Sequence, residues 1–174
     1  MVLRLLSINP TVAGSASIDL YVAAGAQITA QQYYVQGLAA TGTATVTASS
    51  PGLDDWVATM TLTPSAFVIF PNTFTATHGG ANVSLAVSAV LFDPTTLQSL
   101  SGNIRGGFSV SVPITSSDPA VGTITVSPLI FGGNQGGPST AFMPLTTGTS
   151  VITVGTPAGF SAPGSKGQAI ASVN

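Results

Sequence analysis

The chain has 174 residues with 44% hydrophobic side chains, enough to fill one core or two small ones, which argues against disorder. It carries only three Lys/Arg and five Asp/Glu, 5% charged where an ordinary soluble domain has about 25%. Three cations can neither track a run of phosphates nor coat a bilayer, so nucleic-acid and polybasic membrane binding are excluded; without cysteine, disulfides, thiolate metal sites and a cysteine nucleophile are excluded too.

The opening Met1-Val-Leu-Arg-Leu-Leu6 is too short an apolar run for a signal peptide and is read as a strand, ended by Asn9-Pro10. Period-two alternation follows at once: Ala16, Ile18, Leu20 and Val22 against Ser17, Asp19 and Tyr21 predict a half-buried strand. Further strands are predicted at Ala44–Ala48, Ala58–Leu62, Val83–Val87, Phe108–Val112 and Val151–Val154, each set off by Gly, Pro, Ser or Asn. The run Pro64-Ser-Ala-Phe-Val-Ile-Phe-Pro71 reads as a connector able to continue as a strand between its two prolines. Short strands with frequent turns predict a sandwich or barrel, and no stretch approaches the roughly 18 apolar residues of a membrane span.

Sliding the chain on itself by 108 residues sets Gly14 on Gly122, Ile18 on Val126, Gly25 on Gly133, Gln27 on Gln135 and Tyr34 on Phe142. At a shift of 106, Gly42-Thr-Ala-Thr-Val-Thr-Ala48 meets Gly148-Thr-Ser-Val-Ile-Thr-Val154. Residues 71–108 have no counterpart in the first copy, so the predicted organisation is a shortened copy at 1–66 and a complete one at 67–174. The segment Thr115-Ser-Ser-Asp-Pro-Ala-Val-Gly-Thr-Ile-Thr-Val126, followed by Gly-Gly and Gly148-Thr-Ser-Val-Ile-Thr-Val154, resembles bacterial immunoglobulin-like (Big-type) repeats. That resemblance implies an all-β fold of two tandem immunoglobulin-like antiparallel sandwiches, the first lacking its N-terminal strand. It also implies a place in large surface or fibre proteins, extracellular or at the cell surface. Such patterns specify fold far better than function.

Candidate chemistry is sparse. The sole histidine, His78 in Thr77-His-Gly-Gly80, lacks the partners of a hydrolytic triad or a tetrahedral metal site and reads as a turn residue. Five aspartates without a glutamate leave adjacent Asp54-Asp55 pointing apart if extended. A calcium site from Asp54, Asp55, Asp93 or Asp118 matches no loop signature, and Asp118-Pro119 is better read as a carboxylate capping its own turn. Gly132-Gly-Asn-Gln-Gly-Gly137 has no Gly-Lys-Ser/Thr after it and reads as a hairpin loop; Arg105-Gly-Gly107 is one cation on a bend, and the Asn82-Val-Ser84 glycosylation triplet is a chance match. No enzyme, cofactor or metal is expected.

What remains is association. With a net charge of −2, copies repel one another little, and an incomplete first copy would leave a strand edge unpaired. The expected partners are therefore other copies of the chain or neighbouring repeats of a longer one. The candidate interface is Val2, Leu3 and Leu5 in the first strand, Tyr21 and Tyr33, which alternate to the face opposite Tyr34, and Val83, Leu85 and Val87 in the strand without a counterpart. Two readings follow: a structural module joined into a filament by strand complementation, or an adhesin module stacking glycans on rings drawn from Trp56, Tyr21, Tyr33 and Tyr34, of which Tyr34, aligned with Phe142, is expected to point inward.

Overall fold

The computed structural model describes residues 4–26, 31–93, 95–96, 98–133 and 137–174; over these the regular structure is β-strand plus one 3₁₀ turn at Gly164–Gly167. The strands are β1 (Arg4–Ser7), β2 (Tyr34–Gly37), β3 (Thr43–Ala48), β4 (Trp56–Thr61), β5 (Ser65–Phe70), β6 (Thr73–Ala76), β7 (Val83–Phe92) and β8 (Ser99–Ser101). After them come β9 (Val110–Val112), β10 (Ile114–Ser116), β11 (Gly122–Ile124), β12 (Leu129–Phe131), β13 (Ser139–Pro144), β14 (Gly148–Val154) and β15 (Gln168–Val173).

From Ser65 onward the strands form two larger sheets and a two-stranded β9–β12 ladder around one core. The first runs β10-β14-β15-β6, antiparallel except for β6, which lies parallel to β15. The second runs β11-β13-β7-β5, with β8 beside the far end of β7. Alternation sends one set of side chains inward from each: Leu85 and Val87 of β7 and Phe67 and Ile69 of β5 meet Ile152 and Val154 of β14 and Ala169, Ala171 and Val173 of β15. Phe74 of β6 meets Phe142 of β13 edge to face at 5.5 Å, and Phe67 touches both Phe131 and Phe160 with centroids 4.7 Å apart. One polar knot lies at the rim. The buried Ser150 hydroxyl accepts from the Asp118 amide at 3.1 Å and lies 2.8 Å from Ser116 Oγ, fixing the 116–121 turn to β14. Ser150→Ala is expected to cost about 1–3 kcal/mol, because the amide loses its partner; urea denaturation read against the parent chain would show it.

The Ser65–Phe70 run is more than a connector. It pairs with β7 over six residues, Ser65↔Leu91 to Phe70↔Ala86, and buries Phe67 and Ile69 in the main core. The first half of the chain is built differently. There β1 pairs with β2, Arg4↔Gly37 to Ser7↔Tyr34, and β3 pairs with β4, Thr43↔Thr61 to Ala48↔Trp56. The β3–β4 hairpin has the same antiparallel pairing as β14–β15: Gly42, just before β3, and Gly148, at the start of β14, stand 106 residues apart with positive φ of 109° and 148°, whereas the second strands of the two hairpins start further apart, at Trp56 and Gln168.

Elsewhere the two halves part. The strand holding Phe142 pairs with β7 and β11, whereas the one holding Tyr34 pairs with β1, and β5, β6 and β7 have no equivalent among the described residues before Pro64. The first half therefore differs from a sandwich short of a single strand. The alternating segment 16–22 is likewise no strand: a bridge joins the preceding Ser15 to Leu6, but no strand among the described residues pairs with 16–22, and β-propensity without a paired strand does not make one.

Candidate assembly surface

The first half buries little. Leu6, Ala44 and Val46 are its buried apolar side chains, and Gln36 is buried as a clamp, donating to Val12 O at 2.8 Å and accepting from the Gly14 amide at 3.0 Å. In contrast Tyr21 is 75% exposed, Val57 57% and Trp56 56%. The second half, with its filled core, also leaves large apolar side chains outside, Phe70 at 70% and Leu100 at 69% exposed.

The β3–β4 ribbon shows where its free hydrogen-bonding groups lie. Leu62 donates to Gly42 O at 2.8 Å, making 42/62 a hydrogen-bonded pair; alternation along an antiparallel ladder then turns the groups of the 43/61, 45/59 and 47/57 pairs outward. On β3 this is visible directly, because the outward Thr45 carbonyl accepts from Arg4 Nε at 3.0 Å. On β4 the outward groups belong to Val57, Thr59 and Thr61, and no strand pairs with them among the described residues. The corresponding edge of β15 carries β6 in parallel, Ile170↔Thr73 to Val173↔Ala76. The face shared by Ala44, Val46, Ala58 and Met60 ends at the uncovered indole of Trp56.

The halves are joined where Arg105-Gly-Gly107 receives the 10–13 loop. The Gly107 amide donates to Thr11 O at 2.9 Å, and a Cβ on Gly106 would lie 2.3 Å from Val12 O, so the loop backbone fits only over glycine. Arg105 itself stacks 4.6 Å over the Phe108 ring and lines a cleft of about 540 Å³ with Tyr34, Met60 and Leu91. The sequence presented this motif as a lone cation on a bend; its docking role depends on a loop over ninety positions away and left no local signal.

Of the residues expected at an interface, Val2 and Leu3 lie outside the described residues, and Leu5 is half-buried in β1. Tyr21 and Tyr33 are exposed as expected, while Tyr34, expected to point inward, is half-buried with its hydroxyl 3.3 Å from Gln32 Oε1. Leu85 and Val87 are corrected: both have zero exposure and belong to the chain's own core, and Val83 beside them is half-buried, because β7 is paired by β5 on one side and by β13 and β8 on the other. Trp56, one of the rings read as a sugar platform, is exposed at the start of β4.

The polar candidates have local duties. Asp118 Oδ1 accepts from the Ala120 amide at 3.0 Å, the self-capping turn that Asp118-Pro119 predicts. Asp93 accepts from the Thr95 and Thr96 amides at 2.8 and 3.2 Å, and these bonds hold its carboxyl below the ordinary value. His78 is exposed in its turn, its amide donating to Asn174 O at 2.8 Å. No group of three metal-ligating side chains occurs among the described residues.

The chain is an all-β protein. No family model matches it, and no curated protein does. Among solved structures it is similar to surface layer protein SbsC, domains 1–6: 98% of this chain aligns at 16% identity with a TM-score of 0.42, and the chain spans 20% of that structure's length.

Proposed function

We propose that the chain is a non-catalytic structural module of an extracellular or cell-surface assembly, joined to neighbouring copies by strand pairing. The observation that carries this reading is the open outer edge of β4, bordered by exposed Trp56 and Val57, in a chain with almost no charge to keep copies apart. The sheet orders support an immunoglobulin-like sandwich for residues 65–173: β5-β7-β13-β11 corresponds to strands A, B, E and D, and β10-β14-β15 to C, F and G, with β6 added parallel to the last. The first half contributes a hairpin of the same kind with its outer edge unfilled. Sedimentation velocity and negative-stain microscopy over a concentration series test the reading. Species that lengthen with concentration are expected; a single monomeric species at the highest concentration overturns it.

A second reading, a glycan-binding adhesin module, draws on the exposed rings of Tyr21, Tyr33 and Trp56. Saturable binding on a glycan array that is lost on Trp56→Ala is its expected signature, and its absence removes that reading.

A further inference from the structure

The assembly reading leaves open which surfaces meet, and the following rests on that reading. Two features of the first half are complementary. One is the outer edge of β4, where the backbone groups of Val57, Thr59 and Thr61 point outward with no strand beside them among the described residues. The other is the segment Ser17–Val22, the clean period-two stretch that forms no strand of its own. Leu20 is 37% exposed, Tyr21 75% and Val22 49%, and Ile18 is half-buried; of its backbone groups, the Tyr21 amide donates to Gln31 Oε1 at 3.3 Å and the Ser17 carbonyl accepts from Ser15 Oγ, local bonds that an added strand must replace.

We infer that Ser17–Val22 of one copy adds as a strand to the outer edge of β4 of a second copy, parallel to β4 as β6 lies parallel to β15. The added strand takes up the outward groups of Val57, Thr59 and Thr61. Its alternation sets Ile18, Leu20 and Val22 on one face, long enough to extend the apolar face that ends at Trp56.

The geometry favours a second molecule over the chain's own segment. Arg4 bridges the two sites: its Nη1 donates to Ala16 O at 2.6 Å and its Nε to Thr45 O at 3.0 Å. Ala16, from which Ser17–Val22 continues, is thereby held at the β3 side of the ribbon, whereas the accepting edge is on β4, across the ribbon. Each copy thus presents the giving segment on one side and the receiving edge on the other. Such a contact is heterologous and propagates from copy to copy.

Two variants separate the halves of the contact. Thr59→Pro removes an outward N–H from the edge of β4, a position where an edge strand tolerates proline, and Leu20→Pro breaks the giving segment, which makes no strand pairing within the monomer. With circular dichroism confirming the fold, each variant alone is expected to stay monomeric at concentrations where the parent assembles, and Thr59→Val, which keeps the N–H, is expected to assemble normally. Mixed one to one, Thr59→Pro supplies an intact segment and Leu20→Pro an intact edge, so sedimentation should show a dimer that grows no further. Long species persisting in either variant, or no dimer on mixing, overturns this contact while leaving the assembly reading in place. A parent chain that never assembles overturns both. If Thr59→Pro fails to fold, Leu20→Pro still decides: assembly unchanged by it overturns the contact, and its loss supports it.

Discussion

Phe131→Ala is expected to lower the free energy of unfolding by about 3–5 kcal/mol, seen as a shift of the urea midpoint with little change in slope. Phe131 has no exposed surface, and its ring centroid is 4.7 Å from Phe67, which in turn packs on Phe160 at the same distance. It projects from β12, a three-residue strand that pairs with β9 from Leu129↔Val112 to Phe131↔Val110 and with no other strand among the described residues. A strand this short is held in place more by its side chains than by its hydrogen bonds. Truncation therefore leaves a cavity that β12 cannot close without losing its register with β9. Since a domain of this size is stable by about 5–15 kcal/mol in all, the variant would lose a large share of its margin. Phe131→Leu, which keeps most of the volume, should cost less than half as much. A midpoint unchanged in Phe131→Ala would mean that the ring is not part of the core.

The strands that could be read from the sequence are those whose partner lies nearby or whose one face is wholly buried. Thr43–Ala48 and Gly148–Val154 show clean alternation, and each finds its partner in the following strand. Residues 16–22 alternate just as cleanly and form nothing, because alternation reports the capacity to be a two-faced strand and says nothing about a neighbour's presence. The run Ser65–Phe70, read as a connector able to continue as a strand, does form one and adds to a sheet. A short apolar run between prolines has the same appearance whether it links two units or forms part of a sheet, and only the long β7 laid against it decides.

The same limit governs the surface. Tyr21 and Tyr33 were legible as exposed from the alternation around them. Leu85 and Val87 were singled out because their strand has no counterpart in the first copy, yet a strand with neighbours on both edges turns its alternate side chains into the core whatever its history. The open edge of β4 had no residue signature at all. Thr59 and Thr61 are as ordinary on a free edge as in a ladder, and the vacancy appears only when β4 is set beside β15 with β6 in place.

Gly137→Ala is expected to destabilise the sandwich by about 3 kcal/mol, the upper end of what overpacking usually costs, with faster hydrogen exchange across β13. A Cβ at Gly137 would lie 1.8 Å from the Val87 carbonyl oxygen and 3.2 Å from the Ser88 Cα. Both are backbone atoms of the central strand, so no rotamer relieves the overlap; the chain entering β13 must move away, and Ser139↔Ala86, the nearest pair of that ladder, lies two residues on. Gly133, at the other end of the same glycine-rich loop, makes the informative contrast. A Cβ there would meet Gly106 Cα at 2.8 Å and Thr11 O at 3.2 Å, atoms of the junction that seats the 10–13 loop. Gly133→Ala should therefore loosen the docking of the first half while leaving β13 protected, whereas Gly137→Ala should expose β13. If both variants weakened the same amides, the loop would be acting as one clamp, and the division of its glycines between sandwich and junction would be wrong.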